Sequence, residues 1–267
     1  MFSHLVGNPL AKDLLTRMAE RHTVPSVLLL HGPDGVGKGL FAKALADLLV
    51  RQPKKEHPDI HTLYPEGKSH QHPIAAIRLL IEEVGMPPFE APCKVFILHD
   101  AEKMLPSSSN ALLKTLEEPP ADTYIFLLSS DPTRLPSTIL SRCRKIPFFP
   151  ISDAEIIPFL STPDAAKFAR HSHGSLAKAL RLSQNPLNIS IPELAQKPSK
   201  VELPENEDHP FESAEFLFEE IITHIRDHQP QKLEKAIRLL SEGWIALHHN
   251  VKIGHVLENF FLQIPIL

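Results

Sequence analysis

Residues 27–39 read Val27-Leu28-Leu29-Leu30-His31-Gly32-Pro33-Asp34-Gly35-Val36-Gly37-Lys38-Gly39, a short apolar run that breaks into glycines and a lysine. Four consecutive branched aliphatic residues ahead of a glycine turn predict a buried strand. From Lys38 to Leu49 the apolar positions Phe41, Ala44, Leu45 and Leu48 recur at three- and four-residue spacing, which predicts a helix with one apolar stripe. The glycines between strand and helix let successive backbone N–H groups turn inward around a phosphate. The helix presents its positive end to the same point, and Lys38 has the reach for outer phosphates. A glycine-lysine string of this length arises by chance in about one chain in ten. Its placement between a strand and an amphipathic helix is therefore what makes it a phosphate loop.

Two positions depart from a loop that turns over nucleotide. The residue after the lysine, where a hydroxyl holds magnesium, is Gly39. A second apolar run, Val95-Phe96-Ile97-Leu98, is followed by His99-Asp100, which puts an imidazole where an aspartate holds the ion. Magnesium prefers hard oxygen donors, so both losses weaken the same site and predict little or no hydrolysis. Asp100 stands where an acidic residue would align a water, but on a shorter arm; the plainer reading is a polar residue ending a strand.

Further along, residues 10–22 carry Leu14, Leu15 and Met18 at helical spacing, a helix is predicted over Ser109–Leu116, and a third strand over Tyr124–Leu128 before a turn-rich stretch to Pro136. Strands alternating with helices imply an α/β fold with a largely parallel sheet. Pro147 and Pro150 mark a boundary, the residues after them read as small and helical to about 190, and 197–210 (KPSKVELPENEDHP) reads as a linker. The expected domains are 1–149, 150–196 and 211–267, joined by that linker. Ala214, Leu217, Phe218 and Ile221, with Leu257, Phe260 and Phe261, form apolar helix faces in the last part, and core filling is their expected use.

The chain of 267 residues is 42% hydrophobic, enough for a sizeable core, and its 28 Lys+Arg against 32 Asp+Glu give a net charge of −4. No whole-chain basic field marks it as a nucleic-acid binder. Two cysteines, Cys93 and Cys143, cannot build a disulfide framework or an all-cysteine metal site and suit a reducing compartment. The start, Met1-Phe2-Ser3-His4, lacks a basic region and a long apolar run, so a cytoplasmic location without membrane insertion is expected.

Lys94-Val95-Phe96-Ile97-Leu98-His99-Asp100-Ala101-Glu102-Lys103-Met104, then Asn110-Ala111-Leu112-Leu113-Lys114-Thr115-Leu116-Glu117-Glu118-Pro119-Pro120, then Leu135-Pro136-Ser137-Thr138-Ile139-Leu140-Ser141-Arg142-Cys143, closely resemble the bacterial DNA polymerase III clamp-loader subunits of the AAA+ class. The resemblance covers residues 1 to about 180. It implies an AAA+ phosphate-loop domain with a parallel sheet, a small helical lid domain and a helical collar domain, here shortened. It also implies that Arg142, in Ser141-Arg142-Cys143, is an arginine finger acting in the ATP site of a neighbouring subunit, a role suited to a planar, permanently charged guanidinium.

ATPase members of that family carry an arginine after Gly-Ser-Leu in the lid; this chain reads Gly174-Ser175-Leu176-Ala177. With His99, that departure resembles the non-hydrolysing delta-prime members rather than the gamma or tau ATPases. The implied partners are gamma or tau ATPase subunits and the delta subunit, with the sliding clamp and primed DNA reached through the complex. Gly32, Gly35, Gly37, Lys38 and Gly39 form the degenerate nucleotide loop, compatible with ATP or ADP held without hydrolysis, and no cofactor is required. Ser129 and Ser130 end the third strand where the family keeps a small polar residue near the phosphates, although serines there are usually turn formers. The family's four-cysteine zinc module has no counterpart here, and His57, His61, His70 and His72 read as ordinary surface loop residues, so no zinc is expected. The alternatives are an active gamma- or tau-like ATPase and a phosphate-loop nucleotide kinase, told apart by turnover of the isolated chain and by phosphoryl transfer to a nucleoside monophosphate.

Overall fold

A computed structural model describes residues 1–51, 56–67, 70–184, 191–201, 203 and 211–265. The elements run α1 (Pro9–Glu20), β1 (Val27–His31), α2 (Lys38–Val50), β2 (Ile60–Leu63), α3 (Ile74–Val84), β3 (Lys94–Leu98), α4 (Pro106–Glu117), β4 (Thr123–Ser129), α5 (Ser137–Leu140) and β5 (Arg144–Pro147). They continue as α6 (Asp153–Ile156), α7 (Ala165–His171), α8 (Leu176–Gln184), α9 (Ile191–Gln196), α10 (Glu212–His228), α11 (Leu233–His248) and α12 (Ile253–Gln263). The chain divides into two compact units, Met1–Ala179 and Leu180–Leu267.

In the first unit the strands form one parallel sheet in the order β2-β3-β4-β1-β5. Parallel strands need crossovers that cover both faces, so the central ones are apolar on both sides. Val27 to Leu30, Val95 to Leu98 and Ile125 to Leu128 are all buried. Alternate residues Val27, Leu29, Phe96, Leu98, Ile125 and Leu127 share a core with Ile77 and Leu80 of α3 and Leu112 and Leu116 of α4. The helix α2 packs on β1, β3 and β4. Its buried face is Phe41, Ala42, Leu45, Ala46 and Val50, whereas Leu48 is 40% exposed. The stripe is rotated from the one read in the sequence, toward Ala42, Ala46 and Val50 and away from Leu48.

The chain leaves β1 toward one side of the sheet and returns to β5 on the other, so β1 lies at the point where strand order reverses. In open α/β sheets this crevice, at the carboxyl ends of the strands, is where ligands bind. The glycine loop follows β1 there, with His31 aligned beside Ser129 of β4 and Pro147 of β5. A proline is tolerated in β5 because an edge strand need not donate on its outer side.

The second unit is helical. Ala214, Leu217, Phe218, Ile221 and Ile225 of α10 meet Leu239 and Leu240 of α11 and Leu257, Phe260 and Phe261 of α12 in one core, so the apolar faces singled out above do fill it. Residues 202 and 204–210 of the expected linker lie outside the described residues. The part that is described is anchored rather than free, since Val201 is buried in this core and Pro198–Lys200 form a 3-10 turn against α12.

Candidate functional site

Three glycines of the loop adopt positive φ, 143° at Gly32, 73° at Gly35 and 98° at Gly37. A β-carbon at Gly32 would stand 2.1 Å from the Phe148 carbonyl oxygen, so this glycine lets the loop pass under the segment after β5. A β-carbon at Gly37 would meet nothing nearer than the Phe41 ring at 3.7 Å, so there only the backbone angle asks for glycine. Gly37 is also the N-cap of α2 and supplies no side-chain cap, which leaves the helix start able to receive an anion. Asn8, itself left-handed at φ 51°, braces the loop: its Nδ2 donates to the Val36 carbonyl at 3.2 Å and its Oδ1 accepts from Phe149 N at 2.7 Å. Nothing in the spacing of the sequence announced that role.

Lys38 is 8% exposed and folded back on its own loop. Its Nζ donates to the carbonyls of Gly32 at 2.6 Å and Pro33 at 2.7 Å and lies 3.6 Å from Asp34 Oδ1. Burial lowers the affinity of this amine for its proton, opposed by Asp34 and, more weakly, by Glu102 and Asp100. At the tip, a β-carbon on Gly35 would stand 2.0 Å from Ser175 Oγ and 3.0 Å from Ala177 Cβ, and Ala177 N donates to the Gly35 carbonyl at 3.3 Å. The Gly174-Ser175-Leu176-Ala177 segment thus lies directly on the phosphate loop, bringing a methyl group rather than a guanidinium.

The positions read as metal-holding meet each other. A β-carbon at Gly39 would stand 2.9 Å from His99 Cε1, and the His99 ring stacks on Tyr64 at 4.3 Å between centroids. The imidazole fills the space a hydroxyl at position 39 would need. Burial is the main cause that lowers the His99 pKa; Asp100 opposes it, while Lys38 and His72 add to it, so the ring is held neutral. Asp100 Oδ2 accepts from Lys103 Nζ at 2.9 Å, and Asp100 is left-handed at φ 46°. Glu102 Oε1 accepts from both N and Oγ of Ser130, and its buried Oε2 has no partner. A phosphate group therefore fits the loop, with Gly32 to Lys38 holding it. At the two positions read as metal-holding, neither Gly39 nor the imidazole of His99 offers magnesium a hard oxygen.

Arg142 lies apart from this loop in its own site, on the turn between α5 and β5. Its Nε donates to Glu117 Oε1 at 2.9 Å and its Nη2 donates to the same oxygen; its Nη1 donates to the Thr138 carbonyl at 2.6 Å and to Ser141 Oγ at 3.2 Å. The arginine side chain is 28% exposed and that of Glu117 47%. The adjacent Cys143 is inert by comparison: its Sγ donates to the Ile139 carbonyl at 3.1 Å, and burial pushes the thiol up to about 11. The spacing of the sequence gives Glu117 no role, since only the fold brings residues 25 apart in sequence together.

Three of the four loop histidines differ from their reading as surface residues. His57 and His72 are buried, at 4% and 0% exposure, and His61 stacks on Phe96 with centroids 4.8 Å apart. His72 Nε2 lies 2.6 Å from the His99 carbonyl, and its backbone bridges to Met104. Next to His57, Asp59 accepts from the N–H groups of Phe89, Glu90 and Ala91 and so pins the loop before β3. These side chains hold the β2 edge together. His70 alone of the four is exposed and left-handed, at φ 44°.

Among known proteins, the sequence profile of the family described as DNA polymerase III, delta subunit, matches residues 7–152. DNA polymerase III subunit delta' of Bacillus subtilis is 31% identical over 197 residues, covering 66% of this chain and 59% of that protein. Its counterpart in Escherichia coli is 37% identical over 173 residues, covering 58% of this chain and 50% of that protein. The chain thus spans little more than half the length of these relatives. Among solved structures, a DNA polymerase III gamma subunit-related protein of Thermotoga maritima superimposes with a TM-score of 0.53 at 17% identity, covering 86% of this chain and 77% of that one. That likeness concerns the fold alone.

Proposed function

The chain belongs to the DNA polymerase III delta subunit family, with the delta-prime subunits of the clamp loader and on the AAA+ fold, and we propose that it hydrolyses no ATP itself and lends Arg142 to a neighbour's ATP site. The observation that carries the first half is the contact between His99 and Gly39: the imidazole stands where a magnesium-holding hydroxyl would be, 2.9 Å from the place of its β-carbon. Without that ion the charge developing between β and γ phosphates lacks the metal that would bridge and neutralise it. Ala177, lying against Gly35, removes a further positive charge from the same loop.

The second half rests on Arg142 being outside its own loop, partly exposed, and in the motif that resembles the family's finger. A guanidinium delivered from a neighbouring subunit neutralises charge on a transferring phosphoryl group. The proposed partners are gamma- or tau-type ATPase subunits and a delta subunit, acting on a sliding clamp and primed DNA in the cytoplasm. Among the described residues no helix is long and apolar enough to cross a membrane. ATP or ADP can rest in the loop as an unhydrolysed ligand, with Lys38 released from the Gly32 and Pro33 carbonyls to meet it. No zinc is required.

Steady-state turnover tests both halves. The isolated chain is expected to release no phosphate above background, and a complex reconstituted with its ATPase partners is expected to lose turnover when Arg142 becomes alanine. Robust turnover by the isolated chain would favour the gamma- or tau-like ATPase instead.

A further inference from the structure

We infer that Glu117 is a positioning residue for Arg142, holding the guanidinium in the pose from which it enters the neighbour's site; this rests on the finger reading above. An arginine side chain left free has rotamer entropy that must be given up when it docks. Here that ordering is done beforehand. Glu117 Oε1 takes Nε and one N–H of Nη2, while Thr138 O and Ser141 Oγ take Nη1. One N–H of Nη2 is left over, on a side chain that is still 28% exposed.

The two anchors come from separate elements. Glu117 is the last residue of α4, whose Leu112 and Leu116 are buried in the sheet core, and Thr138 lies in α5, whose Ile139 is buried in the same core. Both ends of the cradle are thus fixed to the rigid part of the unit, and α4 contacts α5 directly. A charge fixed before the reaction stabilises developing negative charge without reorganising at that moment, so the benefit falls on the chemical step rather than on nucleotide binding. The chain has many exposed acidic groups, but among the described residues only Glu117 pairs with this guanidinium.

The test measures ATP turnover of the reconstituted complex as a function of ATP concentration for wild type, Glu117→Gln, Arg142→Ala and the double variant, taking as signal the turnover that Arg142→Ala removes. Glu117→Gln is expected to lower the kcat of that Arg142-dependent turnover roughly two- to fivefold, the range for a partly exposed charge pair, with KM unchanged. In the double variant the Gln should add nothing. An unchanged or raised kcat, or a change confined to KM, overturns the positioning role while leaving the finger in place. If Arg142→Ala removes no turnover, the finger reading fails and this inference fails with it. Thermal unfolding of the isolated Glu117→Gln chain, expected to match wild type, separates positioning from a general loss of folding. A large drop in melting temperature accompanied by loss of complex assembly would mean Glu117 is structural.

Discussion

At the scale of single residues, Gly39 and His99 behave as one unit. The ring packs where a side chain at 39 would begin, so Gly39→Ser must push it off its stack with Tyr64. The substitution is expected to destabilise the fold by about 1–2 kcal/mol by overpacking, and less by about 1 kcal/mol when His99 is already alanine. A double-mutant cycle in denaturant measures this; additive effects would show the two sites to be independent. Asp59 gives a pH-dependent counterpart. Burial alone would raise its carboxyl, but the N–H groups of Glu90, Phe89 and Ala91, with His57 beside it, hold it below its ordinary value of 3.8. A carboxyl lowered in the folded state binds its proton more readily when unfolded. Its stabilisation is therefore present above the ordinary value and lost as pH falls through the folded one. Asp59→Asn should cost about 2 kcal/mol at neutral pH and flatten the acid limb of stability as pH falls below the ordinary carboxyl value. Equal slopes for the two proteins in acid urea titrations would contradict it.

At the scale of elements, the glycines of the loop separate by what they avoid. Gly32→Ala places a β-carbon against a backbone oxygen at positive φ and should cost about 3 kcal/mol or more, whereas Gly37→Ala meets only the Phe41 ring at ordinary contact distance and carries only backbone strain, about 1–2 kcal/mol. Melting temperatures give the order directly; a reversed order would mean the loop's passage under Phe148 is misplaced. The central strands were legible because burial on both faces leaves unbroken apolar runs, as in Val27–Leu30 and Val95–Leu98. The edge strands were not. β5 reads Arg144-Lys145-Ile146-Pro147 with only Ile146 fully buried, and β2 contributes the part-exposed His61 and exposed Thr62. A strand with one open side has no compositional signature that four residues can carry. α3 went unread for a different reason: eight of its eleven residues, Ile74 to Val84, are apolar, so its helical period is blurred. The glycine turn between β1 and α2 was legible because an apolar run precedes it and an amphipathic helix follows it. The Asn8 brace, the Gly35–Ser175 contact and the Glu117–Arg142 pair were not, because each joins residues that only the fold brings together.

At the scale of the whole molecule, the first unit holds both candidate sites, the closed loop at the sheet's switch point and the arginine on the turn before β5, while the second unit is a helical body with its own core. On the reading proposed above, the chain takes part in nucleotide chemistry through its neighbour rather than through its own loop. The net charge of −4 supplies no chain-wide basic field to attract a phosphate backbone. The most direct test is ATP turnover of the complex reconstituted with its ATPase partners, compared between wild type and Arg142→Ala, alongside the isolated chain. A silent isolated chain, together with loss in the variant of about a thousandfold at the site that Arg142 serves, is the expected result. Turnover by the isolated chain, or a complex indifferent to Arg142→Ala, would contradict it.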